Sequence, residues 1–162
     1  MRKTTVIILV SALLTTACNT SKQKPNMEKT DAISENTISK EKNIPFKIAG
    51  NYFIKNDVKG TVPSKISTQA EFNTYFGMAA TMGETGKPTP IDFSKEYVIT
   101  VDYNTTNKET ELKPVSLVKK GEDIVFNYSV SEGEEAGFSL RPFLMLIVDN
   151  NNQGKVILKK VQ

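Results

Sequence analysis

Alternating apolar and polar positions predict strands throughout the second half of the chain. Residues 97–103 and 124–130 alternate clearly, which is typical of antiparallel strands with one buried and one solvated face. Residues 112–118 alternate too, but a proline among them indicates an edge strand, because proline has no amide hydrogen to donate. Residues 138–149 end in a continuous apolar run, which predicts the central strand of the sheet. Residues 155–161 are expected to close a last hairpin.

The region before these strands predicts one further strand and one helix. Residues 46–54 alternate, apart from a break at Gly50, and indicate a strand with a bend. Thr68 and Glu71 have the spacing of a capping box, which marks the start of a helix. Apolar side chains then recur at steps of three and four, on one face of a helix that ends at Gly83: Phe72, Tyr75, Phe76, Ala79 and Met82. At that spacing they are expected to be core rather than the wall of a ligand groove.

The order of these elements predicts an α+β fold. A strand, a helix and a meander of four or five strands are most simply arranged as an antiparallel sheet of five to six strands with one helix packed on a face. The segment from Ile44 to Gln162 is long enough to bury a core of its own. We therefore expect a single domain over residues 44–162.

The start of the chain has the layout of a secretory signal peptide. Arg2 and Lys3 form a basic beginning, residues 6–14 are mostly apolar, and small side chains complete residues 1–17. The apolar run is too short to cross a bilayer as a helix. The next residue, Cys18, is the single cysteine of the chain and cannot form an intramolecular disulfide.

A cysteine directly after small residues resembles the lipobox of bacterial lipoproteins of the Bacteroidota type. The resemblance implies that the signal is cut before Cys18 and that its thiol is acylated, with palmitate-like chains anchoring the protein to a membrane. An ordinary signal peptide with a thiol near the cut is the alternative. Residues 18–43 are polar and mixed in charge, so a disordered tether is expected. Because residues 19–22 lack the acidic cluster of surface-exported members, the resemblance implies the bacterial cell envelope, on the outer membrane facing the periplasm.

Charge and composition exclude several classes of function. The chain has 21 Lys and Arg and 18 Asp and Glu, and setting residues 1–43 aside leaves 14 of each. A neutral domain has no electrostatic footprint for nucleic acid. Since the chain contains no histidine, it has neither a nucleophile paired with histidine nor the usual zinc ligands. We therefore expect no enzyme activity, no metal and no cofactor.

One segment late in the chain is the main candidate for a binding site. A cluster of carboxylates and a glycine lies there, close before an arginine: Glu132, Glu134, Glu135, Gly137 and Arg141. The pattern is compatible with a cation site and with a loop that docks a partner. It is more typical of a solvated turn whose exposed ion pair contributes about 0–1 kcal/mol.

Two other acidic positions have simpler interpretations. Asp92 has the chemistry of an acid or a metal ligand, but a carboxylate at a turn more often binds nearby backbone amides. Residues 149–154 open like a calcium loop, with oxygen ligands at alternate positions and a glycine sixth. The twelfth position is Lys160 instead of the required glutamate, so a polar turn is predicted.

Parts of residues 66–161 resemble the C-terminal domain of the protease complex subunit PrcB family. The matching pieces are the helix with Phe72 and Phe76, residues 91–95, the loop over residues 133–139 and the terminal hairpin. One member of that family assembles with a secreted protease, so the resemblance implies binding rather than catalysis. We expect a protein partner in the envelope, with this chain as an accessory subunit or inhibitor of a secreted protease. The alternative is a lipoprotein that holds a small molecule or a glycan between helix and sheet.

Overall fold

The computed structural model describes residues 41–79, 83 and 86–162. The predicted signal peptide, Cys18, the tether as far as residue 40 and Met82 of the predicted helix lie outside the described residues. Among the helices that the structure describes, none is long and apolar enough to cross a membrane.

The described part of the chain is built mainly from strands, with one short helix. In chain order the elements are β1 (Lys42–Asn43), β2 (Lys47–Ile48), β3 (Tyr52–Ile54), β4 (Lys65–Ile66), α1 (Gln69–Tyr75), β5 (Phe76–Met78), β6 (Glu96–Asp102), β7 (Thr106–Lys120), β8 (Asp123–Leu140), β9 (Phe143–Asp149) and β10 (Lys155–Val161). Sheet A has the strand order β1-β7-β8-β10 and sheet B the order β2-β9-β6-β4, while β3 and β5 pair as a separate ribbon. All pairs are antiparallel except β10 with β8, which is parallel.

The predicted α+β fold is therefore wrong. The strands do not form one sheet of five to six with a helix on its face; they form two four-stranded sheets and a two-stranded ribbon, and the fold is mostly β. Periodicity identifies a strand by its own residues, whereas the sheet it joins is decided by contacts with distant strands. That second kind of information is missing from the pattern along the chain.

Sheet B is the middle layer, because both of its faces are buried. Successive residues of β6 alternate between two cores: Tyr97 and Ile99 pack toward sheet A, whereas Val98 packs toward the helix. Strand β9 does the same, with Leu146 in the first core and Met145 in the second. This confirms the prediction that the apolar run in this segment is a central strand, since it lies between β2 and β6.

The second core lies under the helix and the β3–β5 ribbon. Phe72 and Phe76 are 3% and 2% exposed and stack with ring centroids 5.1 Å apart, so the prediction that they are core is confirmed. The predicted helix cap is also confirmed, because the hydroxyl of Thr68 accepts a hydrogen bond from the amide of Glu71 at 3.2 Å. The predicted end at Gly83 is wrong, since the helix ends at Tyr75.

The early end of the helix follows from the strand that comes directly after it. Phe76 has extended dihedrals, and β5 pairs with β3 so that Gly77 lies opposite Phe53. A Cβ atom at Gly77 would be 2.5 Å from the Phe53 ring, so the glycine is needed where the ring crosses the partner strand. Pairing with β3 thus overrides the helical spacing of the sequence.

The predicted single strand over residues 46–54 is wrong as well. Its place is taken by β2, which joins sheet B, and β3, which joins the ribbon. Asn51 lies between them with a φ of 64°, a left-handed conformation that redirects the chain.

The last strand is correctly located, but its predicted hairpin is wrong. Strand β10 does not pair with β9; it crosses from sheet B to sheet A and pairs parallel with β8. The connection passes close to the β7–β8 turn, where a Cβ atom at Gly154 would be 2.4 Å from the carbonyl oxygen of Glu122. Only glycine allows this close approach.

Candidate functional site

The clustered residues of the sequence prediction lie on a strand, not in a loop. Glu132, Glu134, Glu135 and Gly137 all belong to β8, which continues to Leu140 opposite β7. The predicted loop over residues 133–139 is therefore wrong. We call the outer part of this hairpin, residues 106–112 of β7 and 130–140 of β8, the arm.

A β-bulge interrupts the arm and turns an aromatic side chain outward. Thr106 pairs with Leu140 and Lys108 with Glu135, so residues 136–139 of β8 lie opposite Asn107 alone. Phe138, inside this bulge, is 67% exposed, although phenylalanine is normally buried. A Cβ atom at Gly137 would meet nothing within 4 Å, so the bulge is open to solvent on that side.

Of the three predicted glutamates, one is engaged within the arm. Glu132 lies 3.2 Å from the Nζ of Lys108 and accepts a hydrogen bond of 3.3 Å from the hydroxyl of Tyr103. The hydrogen bond and the charge of Lys108 hold the pKa of Glu132 below its usual value. Its role in the arm is therefore to join β7 to β8.

The other two glutamates are exposed and lack a cationic partner in the described chain. Neither Glu134 nor Glu135 has a lysine or arginine nitrogen within 4.0 Å, as far as residues 41–79, 83 and 86–162 are concerned. The same holds for Glu109, which lies on β7 beside Gly133. Glu109 is not found from the sequence, because only the pairing of β7 with β8 brings it next to Gly133. Phe138 lies within the predicted segment, but its exposure depends on the bulge.

Arg141 does not belong to this site. Its guanidinium donates to both carboxylate oxygens of Asp102, at 2.8 and 2.6 Å, and to the carbonyl oxygens of Val58 and Gly60, at 2.9 and 2.7 Å. The hydrogen bond to Asp102 raises the pKa of Arg141 further. The prediction that groups Arg141 with the glutamates is therefore wrong, because its donors are occupied in joining a loop to sheet B.

The other two acidic positions are turn residues, as predicted. The Oδ1 of Asp92 accepts hydrogen bonds from the amide and the hydroxyl of Ser94, at 3.0 and 2.5 Å. These bonds, with that of Lys95, lower the pKa of Asp92. Asp149 likewise accepts from the amide of Asn151 at 2.7 Å, within the polar turn between β9 and β10.

A shallow groove beside the helix is the alternative place for a ligand. Its volume is about 240 Å³, below the range of about 300–1,000 Å³ usual for ligand pockets. An apolar floor is bordered by the polar side chains of Lys55, Gln69 and Asn73. Phe72 and Phe76 line it but are almost completely buried in the core, so the aromatic surface that faces the groove comes from the half-buried Tyr52 and Phe93.

Two lysines that are distant in sequence meet at the β9–β10 connection. Lys65 lies 4.5 Å from the ring centre of Tyr97 and donates to the side chain of Gln153 at 2.7 Å, while Lys119 donates to the Gln153 carbonyl. Burial, followed by the nearby charge of Lys119, lowers the pKa of Lys65. Both ammonium groups are held by oxygens of this connection, which indicates a structural role.

No cluster of three or more metal-ligating side chains occurs in the part of the chain that the structure describes. The arm combines three features of a binding site: an exposed aromatic ring, two exposed carboxylates without a cationic partner among the described residues, and a bulge that directly follows these carboxylates along β8. Comparison with protein-family models, with curated proteins and with solved structures found no match to this chain, so the PrcB resemblance stays a prediction.

Proposed function

We propose that this chain is a lipid-anchored protein of the bacterial cell envelope whose domain binds another protein without catalysing a reaction. The arm is its binding surface. The observation that carries the proposal is the 67% exposure of Phe138 in a bulge beside Glu134 and Glu135. Aromatic side chains, phenylalanine among them, are enriched in the cores of protein–protein interfaces relative to the rest of the surface.

The anchor in this proposal is acylated Cys18, which lies outside the described residues. The predicted tether over residues 18–43 is too long at its end, because Lys42 and Asn43 form β1 and pair with β7. The part before β1 then acts as the tether, roughly 25 Å long as a flexible coil. The expected location is the outer membrane, with the domain facing the periplasm. An accessory subunit or inhibitor of a secreted protease is the form of this function that the PrcB resemblance favours.

Small-molecule or glycan binding is the alternative, and the filled core beside the helix argues against it. That function requires a deep pocket between helix and sheet. Instead, Phe72 packs against Tyr52 and Phe93 at centroid distances of 5.2 and 5.5 Å, so this space is occupied by the protein's own rings. The remaining groove, of about 240 Å³, is smaller than the pockets that usually hold ligands.

Capture of the partner by matched variants tests the proposal. The full chain is purified from envelopes in mild detergent as the wild type, as Phe138→Ser and as Val115→Ser, and the proteins that accompany it are quantified. Val115 is the control, because it is also exposed (55%) but lies on β7 outside the arm. We expect Phe138→Ser to reduce recovery of the partner at least about tenfold and Val115→Ser to leave it unchanged. Equal recovery with all three proteins would refute the arm as the binding surface.

A further inference from the structure

One edge of the arm is unpaired along residues 130–135. Strand β10 pairs with β8 from Asp123 to Ser129, and within the described residues no strand continues this pairing beyond Ser129. On its other side the same segment is paired with β7, apart from a bulge in which Gly133 and Glu134 lie opposite Glu109. Every backbone group that faces away from β7 here must therefore bind water or a partner.

The other long edges of sheet A carry features that prevent strand addition. The short β1 covers the outer side of β7 only at Val118 and Lys119. Before that point β7 carries Pro114 and a bulge between Pro114 and Ser116, both of which hinder the addition of a strand. The edge strand β10 carries the exposed lysines Lys155 and Lys159. Residues 130–135 also contain a bulge, at Gly133 and Glu134, but they have neither proline nor lysine, and their charges are all negative.

The negative charges determine which kind of strand can be added. If two copies of the chain paired antiparallel about Gly133, Glu132 of one would lie opposite Glu134 of the other, and like charges directly opposite each other destabilise a sheet. A strand with lysine or arginine side chains would instead face Glu134 and Glu135, which have no cationic partner in the described chain. The edge thus disfavours a second copy and favours a basic segment.

We propose that residues 130–135 of β8 accept an extended, lysine- or arginine-bearing segment of the partner protein as an additional strand of sheet A. The inference rests on the proposed function, because it specifies the chemistry of the partner that the arm binds. The added strand continues the line of β10 past Ser129, its backbone binds the open edge and its basic side chains pair with Glu134 and Glu135. Phe138, in the adjoining bulge, contributes an apolar contact.

Amide hydrogen exchange of the full chain with a synthetic peptide tests this mode of binding. The probe is a ten-residue peptide in which pairs of lysines alternate with pairs of threonines, so that both faces of the added strand carry lysine. The controls are the same peptide with glutamate in place of lysine, and a peptide whose amides are N-methylated. At saturating lysine peptide we expect the outward amides within residues 130–135 to exchange at least about fivefold more slowly. Neither control peptide should have this effect. Glu134→Lys with Glu135→Lys should abolish the protection, whereas Glu122→Lys, in the turn before β8, should preserve it.

Unchanged exchange at these amides with bound lysine peptide would overturn the inference, and so would equal protection by the glutamate peptide. Formation of a dimer through this edge would overturn it as well. These outcomes are separable from the proposed function: if Phe138→Ser still abolishes capture of the partner while the amides stay unprotected, the arm binds through side chains and only the added strand is wrong.

Discussion

The carboxylate of Asp102, at the end of β6, accepts a bidentate pair of hydrogen bonds from the guanidinium of Arg141, which lies just before β9. The same carboxylate also accepts a hydrogen bond of 2.9 Å from the amide of Val62, and the same guanidinium donates hydrogen bonds to the carbonyls of Val58 and Gly60. This one pair therefore fixes the loop before β4 to the middle layer of the fold. Because the Asp102 side chain is only 6% exposed, its charge depends on Arg141 for compensation.

Arg141→Ala is expected to lower the free energy of unfolding by about 2–3 kcal/mol, since it leaves a nearly buried carboxylate unpaired. Urea unfolding of the wild type and the variant measures this. Lys113→Ala removes one member of an exposed pair with Glu111 and serves as the control, with an expected change below about 0.5 kcal/mol. Equal small changes in both variants would show that the Asp102 pair does not carry the stability assigned to it.

Thr100→Val is expected to stabilise the protein by about 1 kcal/mol. Thr100 is 1% exposed, and its hydroxyl finds no hydrogen-bond partner among the described residues. A buried hydroxyl without a partner costs free energy, and valine has nearly the same shape without it. Thermal unfolding of the two proteins measures the difference. A clear loss of stability in the variant would mean that the hydroxyl is bonded in solution.

Gly154→Ala is expected to destabilise the protein by at least about 2 kcal/mol. The added Cβ would be 2.4 Å from the Glu122 carbonyl oxygen, a backbone atom that cannot move without distorting the β7–β8 turn. Gly137→Ala is the matched control, because a Cβ there meets no atom within 4 Å. We expect the control to unfold at the same urea concentration as the wild type. Tolerance of alanine at position 154 would contradict the close approach.

Stability should fall at alkaline pH because of Tyr97. Burial raises its pKa from 10.0 to about 12, so the unfolded chain loses this proton at lower pH than the folded chain. Below pH 10 the neutral Tyr97 makes its full contribution to the free energy of unfolding. This contribution is lost as the pH rises to 12, and the total loss is about 2–3 kcal/mol, at about 1.4 kcal/mol per pKa unit. Tyr97→Phe should be less stable at pH 8 by about 1 kcal/mol, since it lacks the hydrogen bond to the Asn152 carbonyl.

Urea unfolding at pH 8 and pH 11 tests both parts of this expectation. The wild type should lose more stability between the two pH values than Tyr97→Phe, which has no hydroxyl to ionise at this position. If both proteins lose the same stability between pH 8 and pH 11, the alkaline sensitivity comes from other tyrosines and lysines and not from Tyr97.

Sequence patterns predicted those features that depend on neighbouring residues. The cap at Thr68, the core positions of Phe72 and Phe76 and the turn at Asp92 are local, and all three agree with the structure. The end of the helix was mispredicted because β5 pairs with β3, a contact between residues more than twenty positions apart. Nothing in the spacing of the helix residues reports such a contact.

The fold class and part of the site depend on distant contacts throughout. Strand β10 has a normal alternating pattern, and that pattern cannot distinguish a hairpin with β9 from parallel pairing with β8. Arg141 follows the glutamates closely in sequence, yet its guanidinium binds Asp102 and the loop before β4. The bulge that exposes Phe138 is likewise a product of register between β7 and β8. Proximity in sequence therefore located the arm but misassigned its arginine.

Photo-crosslinking in intact cells tests the central claim most directly. A photoreactive amino acid replaces Phe138 in one full-length variant and Val115 in another, both exposed positions on the two strands of the same hairpin. We predict that irradiation joins the first variant to one protein of defined mass, that the second variant gives no such product, and that Glu134→Lys with Glu135→Lys removes it. No product at position 138, or the same product at both positions, would contradict the assignment of the arm as the binding surface.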